Sequence, residues 1–319
     1  MSPTSGLRIS VLVPTWKRPT DLDRCLRALS DQVRKPDRLV VVWRRGDDEV
    51  HGVIERWRGS LPVDAVEVRE PGVVQAMNAG LAAIEEDVVV ITDDDSAPHP
   101  DWLRRIEATY LEHPRAVAVG GRDLVHVHGI VLPATTHRVG VLSWFGRSIG
   151  SHHEGLGELR EVDFLKGVNC SFRRAAAAGR VFDRRLRGTG AQQHWEMGFF
   201  LPLRAKGEVL YDPTLLVDHH PAIRHDEDQR DTFNWIAASN GGFNETLVLL
   251  DNLSWFGRLV FVPYSLLVGH TAHPGLLQAF RAVLRGHSPR VSFGRAFATC
   301  QGRLAALAQF LFPRKDPTR

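Results

Sequence analysis

Cysteine is scarce in this chain. The 319 residues include three, Cys25, Cys170 and Cys300. They lie far apart and form no Cys-x-x-Cys pair, which excludes a disulfide framework and a thiolate zinc site. Also missing is an apolar run near the ~20 residues that a membrane-spanning helix needs. Ile9–Val13 is short and runs into Pro14, and the eleven residues Leu259–Gly269 are interrupted by Pro263. No small-residue cleavage site follows the first run, so no secretory leader is expected and a reducing, cytosolic compartment is. There is no Gly-rich Walker loop, no Gly-x-Gly-x-x-Gly, no internal repeat and no low-complexity segment. A composition of 43% hydrophobic and 24% charged residues excludes a disordered or collagen-like chain.

Acid is nearly absent from one end. From Ser254 to Arg319 there are nine Arg or Lys and one acid, Asp316, so this tail carries +8 of a net +3 and the body carries −5. Leu276, Leu277, Phe280 and Leu284 share one helical face flanked by Arg281 and Arg285, and Leu304, Leu307, Ala308 and Leu311 repeat the pattern around Arg303. Apolar faces edged with arginine suit an anionic membrane surface better than nucleic acid. The expected organisation is a catalytic domain over 1–252 and a basic amphipathic helical tail over 253–319. The tail is read as a peripheral attachment to the inner face of the cell membrane, or else as a cap on the domain.

The first hundred residues alternate between two periods. Arg8–Val13, Leu39–Trp43, Val66–Val68 and Asp87–Thr92 are short β-branched runs that predict buried strands. Between them Leu22, Cys25, Leu26 and Leu29 mark a helix with Thr20 and Asp21 as cap candidates, and helices follow near Glu49–Trp57 and Val73–Ile84. Strands separated by such helices predict an α/β fold, a Rossmann-like, mainly parallel sheet with helices on both faces. Between Gly120 and Phe164 the sequence is rich in Gly and His and weakly periodic, and irregular structure is expected there.

In such sheets ligands gather at the carboxyl ends of the strands. The first strand ends in Pro14-Thr15-Trp16-Lys17-Arg18-Pro19, and the fourth in Asp93-Asp94-Asp95-Ser96. Burying adjacent carboxylates costs several kcal/mol unless a cation neutralises them. The acid run therefore predicts a divalent metal, Mn²⁺ or Mg²⁺ by its oxygen donors, which would hold a diphosphate together with basic side chains such as Lys17 and Arg18.

Val11–Pro19, Asp21–Leu29, Glu70-Pro-Gly-Val-Val-Gln-Ala-Met-Asn-Ala-Gly-Leu81 and Thr92–Asp95, in that order, resemble the family 2 glycosyltransferases of the GT-A fold over roughly residues 8–220. The resemblance implies transfer of a sugar from a nucleotide-diphosphate donor to a hydroxyl acceptor, usually with inversion, with a divalent metal at an Asp-x-Asp motif. It places Asp93 and Asp95 in that motif, Asp95 as the direct metal ligand and Asp93 nearer the ribose, with Asp94 beside the donor. Pro14 and Thr15 fall where the nucleotide pocket begins, and Gly72 and Asn78 in the segment before the motif strand. Where the family usually has Asp-Asp-Gly-Ser, this chain has Trp43-Arg-Arg-Gly-Asp-Asp48. Either Asp47 or Asp48 supplies the acid that contacts the base, or Arg44 and Arg45 face the phosphates, or all are exposed turn charges.

The resemblance also assigns a base. The family's acidic pair falls eleven or so residues before a helix-ending Gly; counting back from Gly207 reaches Glu196, with Trp195 in place of the partner acid. Attack by a hydroxyl needs such a carboxylate, because the hydroxyl pKa lies far above neutral. Burial beside Trp195 would raise the carboxyl pKa toward a useful range. Tyr211–Pro221 reads as a strand followed by a His pair, with His219 completing the metal shell and Asp218 orienting it. Lys166–Arg174 resembles the segment after the donor site, with Gly167 and Asn169 meeting the sugar or acceptor. His152 and His153 read as polar loop residues. A nucleotidyltransferase of the same fold would want a Gly-rich basic loop after the first strand. A retaining transferase would not need Glu196, and a non-catalytic binder would not need acids, a Glu and a His at three element ends. The acceptor expected from the basic tail is lipid-linked or a surface polysaccharide.

Overall fold

The computed structural model describes residues 6–229 and 232–313. Of these, one compact unit takes the residues up to Val141, Ile149–Phe182 and Phe199–Ala222. A second takes Leu142–Ser148, Asp183–Gly198 and the residues from Ile223 on.

The first unit is built on a ten-stranded mixed sheet. In chain order its opening elements are β1 (Ile9–Thr15), α1 (Pro19–Ser30), β2 (Arg38–Arg44), α2 (Asp48–Trp57), β3 (Val63–Val68), α3 (Val73–Ala82) and β4 (Val88–Ile91). Then come β5 (Ser96–Pro98), α4 (Trp102–Glu112), β6 (Ala116–Val127) and β7 (Ile130–Val131). Two-residue strands β8 (Val141–Leu142), β9 (Ser148–Ile149) and β10 (Arg160–Glu161) precede β11 (Cys170–Arg173) and β12 (Glu208–His219), and between the last two comes α5 (Trp195–Phe200), whose residues through Gly198 belong to the second unit. Across the sheet the order is β10-β12-β6-β11-β4-β1-β2-β3, with β5 on β12 and β7 on β6. Strands β3, β2, β1 and β4 run parallel, whereas β11 lies antiparallel between β4 and β6.

Alternation along the strands explains the layers. Ile9, Val11 and Val13 share a core with Leu39, Val41, Val88 and Val90 and with Leu22, Leu26, Val50, Ile54, Trp102 and Ile106 of α1, α2 and α4. Successive side chains of a strand point to opposite faces. Leu12 and Val42 therefore lie on the other face, where Gly80 of α3 sits against them. Both faces are covered, and the strands read as continuous apolar runs for that reason.

Three local expectations are corrected. Helix α1 begins at Pro19 behind Arg18, without a side-chain cap; proline's fixed φ suits that first position, and Asp21 pairs with Arg24. The stretch from Gly120 is not irregular at first, since β6 continues for twelve residues to Val127, held by β12 along its length. Arg303, counted among the residues that flank an interfacial face, is buried.

That burial belongs to the second unit, which holds α6 (Trp235–Asn252), α7 (Trp255–Leu267), α8 (Leu276–Leu284) and α9 (Pro289–Leu311). The expected boundary after residue 252 falls between α6 and α7, inside this unit. Phe243 and Leu247 of α6 pack on Ala306 of α9. Beside them Arg303 donates to Glu245 at 3.0 Å and to the His273 carbonyl at 2.7 Å, and Glu245 also accepts from His270. Arg314, Lys315 and Arg319 of the basic tail lie outside the described residues. Among those described, no helix is long and apolar enough to cross a membrane.

Candidate active site

The strand order reverses between β1 and β4, because β2 and β3 extend to one side and β11 and β6 to the other. The crevice outside the carboxyl ends of β1 and β4 is therefore the switch point where ligands bind in open α/β sheets. The acid run stands there. Thr92 Oγ1 donates to the Val168 carbonyl at 2.8 Å and Ser96 Oγ to the Asp93 carbonyl at 2.6 Å, fixing the turn. Strand β5 then pairs with the end of β12, Ser96 opposite His219. His220 N–H donates to the Asp95 carbonyl and Ala222 N–H to Asp95 Oδ2, both at 2.9 Å.

These connections bring ligand atoms of Asp93, Asp95 and His219 within 4.8 Å of one another. Asp95 and His219 are buried and Asp93 is partly exposed. His219 Nε2 lies 3.5 Å from Asp95 Oδ1, a buried oxygen with no hydrogen bond. A buried orphan oxygen is costly, and two carboxylates with an imidazole are a donor set for a divalent cation. The residues present therefore fit a metal.

Behind His219 stands Asp123, on β6 and fully buried, with Oδ2 3.1 Å from His219 Nδ1. Lys166 pairs with the same carboxylate. Asp123, and not Asp218, is therefore the orienting acid. Neighbouring residues of β12 point to opposite faces, and Asp218 instead bridges His99 at 3.0 Å and His126 at 2.7 Å. Asp123 was not found from the sequence; the available signal was an isolated acid inside the Val-rich stretch Ala116–Val127.

The charges respond to these contacts. Burial alone would raise the Asp95 pKa, but His219, the Ala222 N–H and Arg18 outweigh it and hold it at about 2. Burial is likewise overcome at Asp123, which His219 and Lys166 hold well below the usual range. Asp93 is pushed up by its loss of water and by Asp95. Asp94 rises to about 7, chiefly through burial, although Arg18 Nη1 donates to it at 2.8 Å. His219 rises to about 9, because Asp123 and Asp95 favour its charged form more than burial disfavours it.

The other residues singled out from the sequence fall as follows. Thr15 ends β1 and is buried, next to Pro14, which is partly buried. Lys17 takes a left-handed φ of 56°, and its N–H donates to Asp47. Asp47 is buried and also caps α2 through the Val50 N–H at 3.4 Å, so its carboxylate braces two loops. Arg44 stacks on Trp16, with its guanidinium carbon 3.2 Å from the ring centre, while Arg45 pairs with Glu67 of β3 at 2.6 Å. Gly72 precedes α3 with φ 110°, a backbone that favours glycine.

Two expected ligand contacts are corrected. Asn78 Nδ2 donates to the Phe182 carbonyl and its Oδ1 accepts from the Phe182 N–H, so the amide clamps a backbone rather than a donor. Asn169, 1% exposed, accepts from Trp102 and donates to the carbonyls of Arg122 and Leu215, which leaves its amide committed to the fold. Gly167 is buried in a single 3₁₀ turn beside it. In the second unit, Trp195 is buried and Glu196 partly buried at the start of α5. His194 just before them has φ 74°, a conformation uncommon for a residue with a side chain.

The mixed, largely parallel sheet covered by helices is the GT-A fold expected from the sequence. The chain belongs to the glycosyltransferase-like family 2, whose model matches residues 6–222. It is 27% identical over 176 residues to the glucosyl-dolichyl phosphate glucuronosyltransferase of Haloferax volcanii, covering 53% of each chain. It is 31% identical over 116 residues to the amylovoran biosynthesis glycosyltransferase AmsE of Erwinia amylovora, covering 35% of this chain and 43% of that one. The matched stretch thus spans about half, or less, of these relatives' length. Among solved structures, GalNAc-T7 with UDP, GalNAc and Mn²⁺ matches with a TM-score of 0.62 at 13% identity, covering 97% of this chain and 57% of that one. The mannosyltransferase PcManGT of Pyrobaculum calidifontis, in complex with GDP-Man and Mn²⁺, matches with a TM-score of 0.51 at 16% identity, covering 98% and 89%. At these identities the likeness is one of fold.

Proposed function

We propose that this chain transfers a glycosyl group from a nucleotide-diphosphate sugar to a hydroxyl acceptor, by direct displacement with inversion. The observation that carries the reading is the Asp93–Asp95–His219 cluster, with its orphaned Asp95 oxygen, at the switch point of the sheet. Asp93, Asp95 and His219 would hold Mn²⁺ or Mg²⁺, which supplies charge neutralisation for a diphosphate leaving group. Asp123 keeps Nδ1 of His219 engaged so that Nε2 faces the cluster. Arg18, 2.8 Å from Asp94 and 3.7 Å from Asp95, adds a fixed positive charge beside the cluster, and Thr15 and Lys17, at and just beyond the end of β1, are assigned to the donor.

Glu196 is assigned the acceptor proton. A carboxylate there can accept the hydroxyl proton as the new bond forms, a contribution typically worth 10²- to 10⁴-fold. A lipid-linked or surface-glycan acceptor at the inner membrane face agrees with the basic C-terminal helices and with the dolichyl phosphate and amylovoran relatives. Product formation from a panel of nucleotide sugars with Mn²⁺ or Mg²⁺ tests the reading, together with calorimetry of UDP, GDP and dTDP. Mn²⁺-dependent nucleotide binding that disappears in Asp95→Asn is expected. Affinity unchanged in that variant refutes the cation role.

A further inference from the structure

In the second unit two helices leave most of their large apolar side chains on the outside. The buried positions of α7 are Gly257, Phe261 and Ser265, while Trp255, Phe256 and Leu259 are 72%, 53% and 62% exposed. In α8 the buried residue is Ala279, and Leu277, Phe280 and Leu284 are 61%, 55% and 74% exposed. An amphipathic helix of a globular protein turns its large apolar residues inward. Here, Phe261 apart, the residues facing in are small and most of the large apolar ones face water. Trp144, 59% exposed, stacks on Phe256 with ring centres 5.6 Å apart and extends the aromatic surface. Large exposed apolar areas of this kind mark docking surfaces.

Charge selects the occupant. Between Asn252 and Pro313 the sequence has six arginines and no acid. Arg303 is spent on Glu245, but Arg281, Arg285 and Arg290 are exposed, the first two next in sequence to Phe280 and Leu284. A second copy docking through the same face would set these arginines against their own counterparts with no carboxylate to answer them. An anionic bilayer answers every feature. Acyl chains take Leu and Phe, the headgroup level takes Trp, and lipid phosphates take Arg.

We propose that α7, α8 and Trp144 form an in-plane docking surface for an anionic phospholipid bilayer. The surface is independent of the donor chemistry proposed above, so either can fail alone. Flotation of the full chain is measured with phosphatidylcholine vesicles and with vesicles that also contain phosphatidylglycerol, at low and high salt. Binding is expected on the anionic vesicles and should weaken with salt. Arg281→Gln/Arg285→Gln should weaken it about 30-fold, since each basic residue near the surface is worth roughly fivefold. Leu277→Ser/Phe280→Ser changes exposed positions, so thermal unfolding should match the parent while flotation is lost. Tryptophan quenching by brominated lipid should fall in Trp144→Phe/Trp255→Phe. A full chain that stays at the bottom of the gradient at low salt overturns the proposal. So does a dimer that Leu277→Ser/Phe280→Ser disperses, since the face would then meet a second copy.

Discussion

The Asp123 carboxylate stands behind His219 and would act through it on a cation held at Asp93, Asp95 and His219. It fixes which nitrogen of His219 faces the cluster and is itself held by Lys166. Loss of such an orienting partner typically weakens metal affinity 10- to 100-fold. Asp123→Asn should therefore weaken Mn²⁺ binding by that range in calorimetry, with Asp95→Asn weakening it further. A second residue sets a pH limit. His152 is 3% exposed, with Nε2 3.0 Å from the Phe164 carbonyl, and burial lowers its pKa from 6.5 to about 4. Between those values the unfolded chain binds a proton that the folded chain refuses, so stability rises with pH there and is lost on acidification. Denaturation at pH 7.5 and pH 5 should show the parent losing about 2 kcal/mol more than His152→Gln, which keeps a donor but does not titrate. Equal losses would place the acid sensitivity in other groups.

At the scale of elements, the site depends on how closely β6 and β12 approach. Gly121 of β6 faces the irregularity between Asp212 and Leu216 of β12. A Cβ there would lie 2.1 Å from the Leu215 carbonyl oxygen and 2.9 Å from Asn169 Nδ2. Backbone cannot yield as a side-chain tip does, so Gly121→Ala should cost about 1–3 kcal/mol in urea denaturation. It should also weaken Mn²⁺ binding, because Asp123 and His219 lie just beyond on the same two strands. Unchanged metal affinity in a destabilised variant would mean that the cluster tolerates strand separation. The same two strands mark where the sequence stopped being readable. Strands β1, β2 and β4 are short apolar runs next to helices of clear period, and the acids at the end of β4 follow from that reading. Strand β6 mixes Gly, Arg, Asp and His because it crosses from the core to the site, so its period is hidden and Asp123 with it. Asn78 and Asn169 sit in segments that do resemble a donor pocket. Their amides, however, are spent on Phe182, Trp102, Arg122 and Leu215, pairings that only the folded chain creates. Likewise, nothing local distinguishes buried Arg303 from exposed Arg281; its partner Glu245 lies on another helix.

At the scale of the whole molecule, the two proposed chemical roles fall on different units, the cation cluster on one and Glu196 on the other, and this makes them separable by experiment. A ligand that binds the folded form alone stabilises it by about 2.7 kcal/mol at a hundred times its Kd. Mn²⁺ with the preferred nucleotide at that excess should raise the unfolding temperature by several degrees, with chelation reversing the rise. Asp95→Asn should show no such rise. Glu196→Gln should show the full rise, because it leaves the donor side untouched, while kcat falls 10²- to 10⁴-fold. The pattern distinguishes three cases. Loss of both responses in Glu196→Gln would make that residue structural, as its place at the start of α5 beside buried Trp195 would allow. A full thermal response with kcat above about a third of the parent value would move the base to another carboxylate, since loss of a general base is not that mild. A full thermal response with the deep loss of kcat would leave proton removal as the step that Glu196 serves.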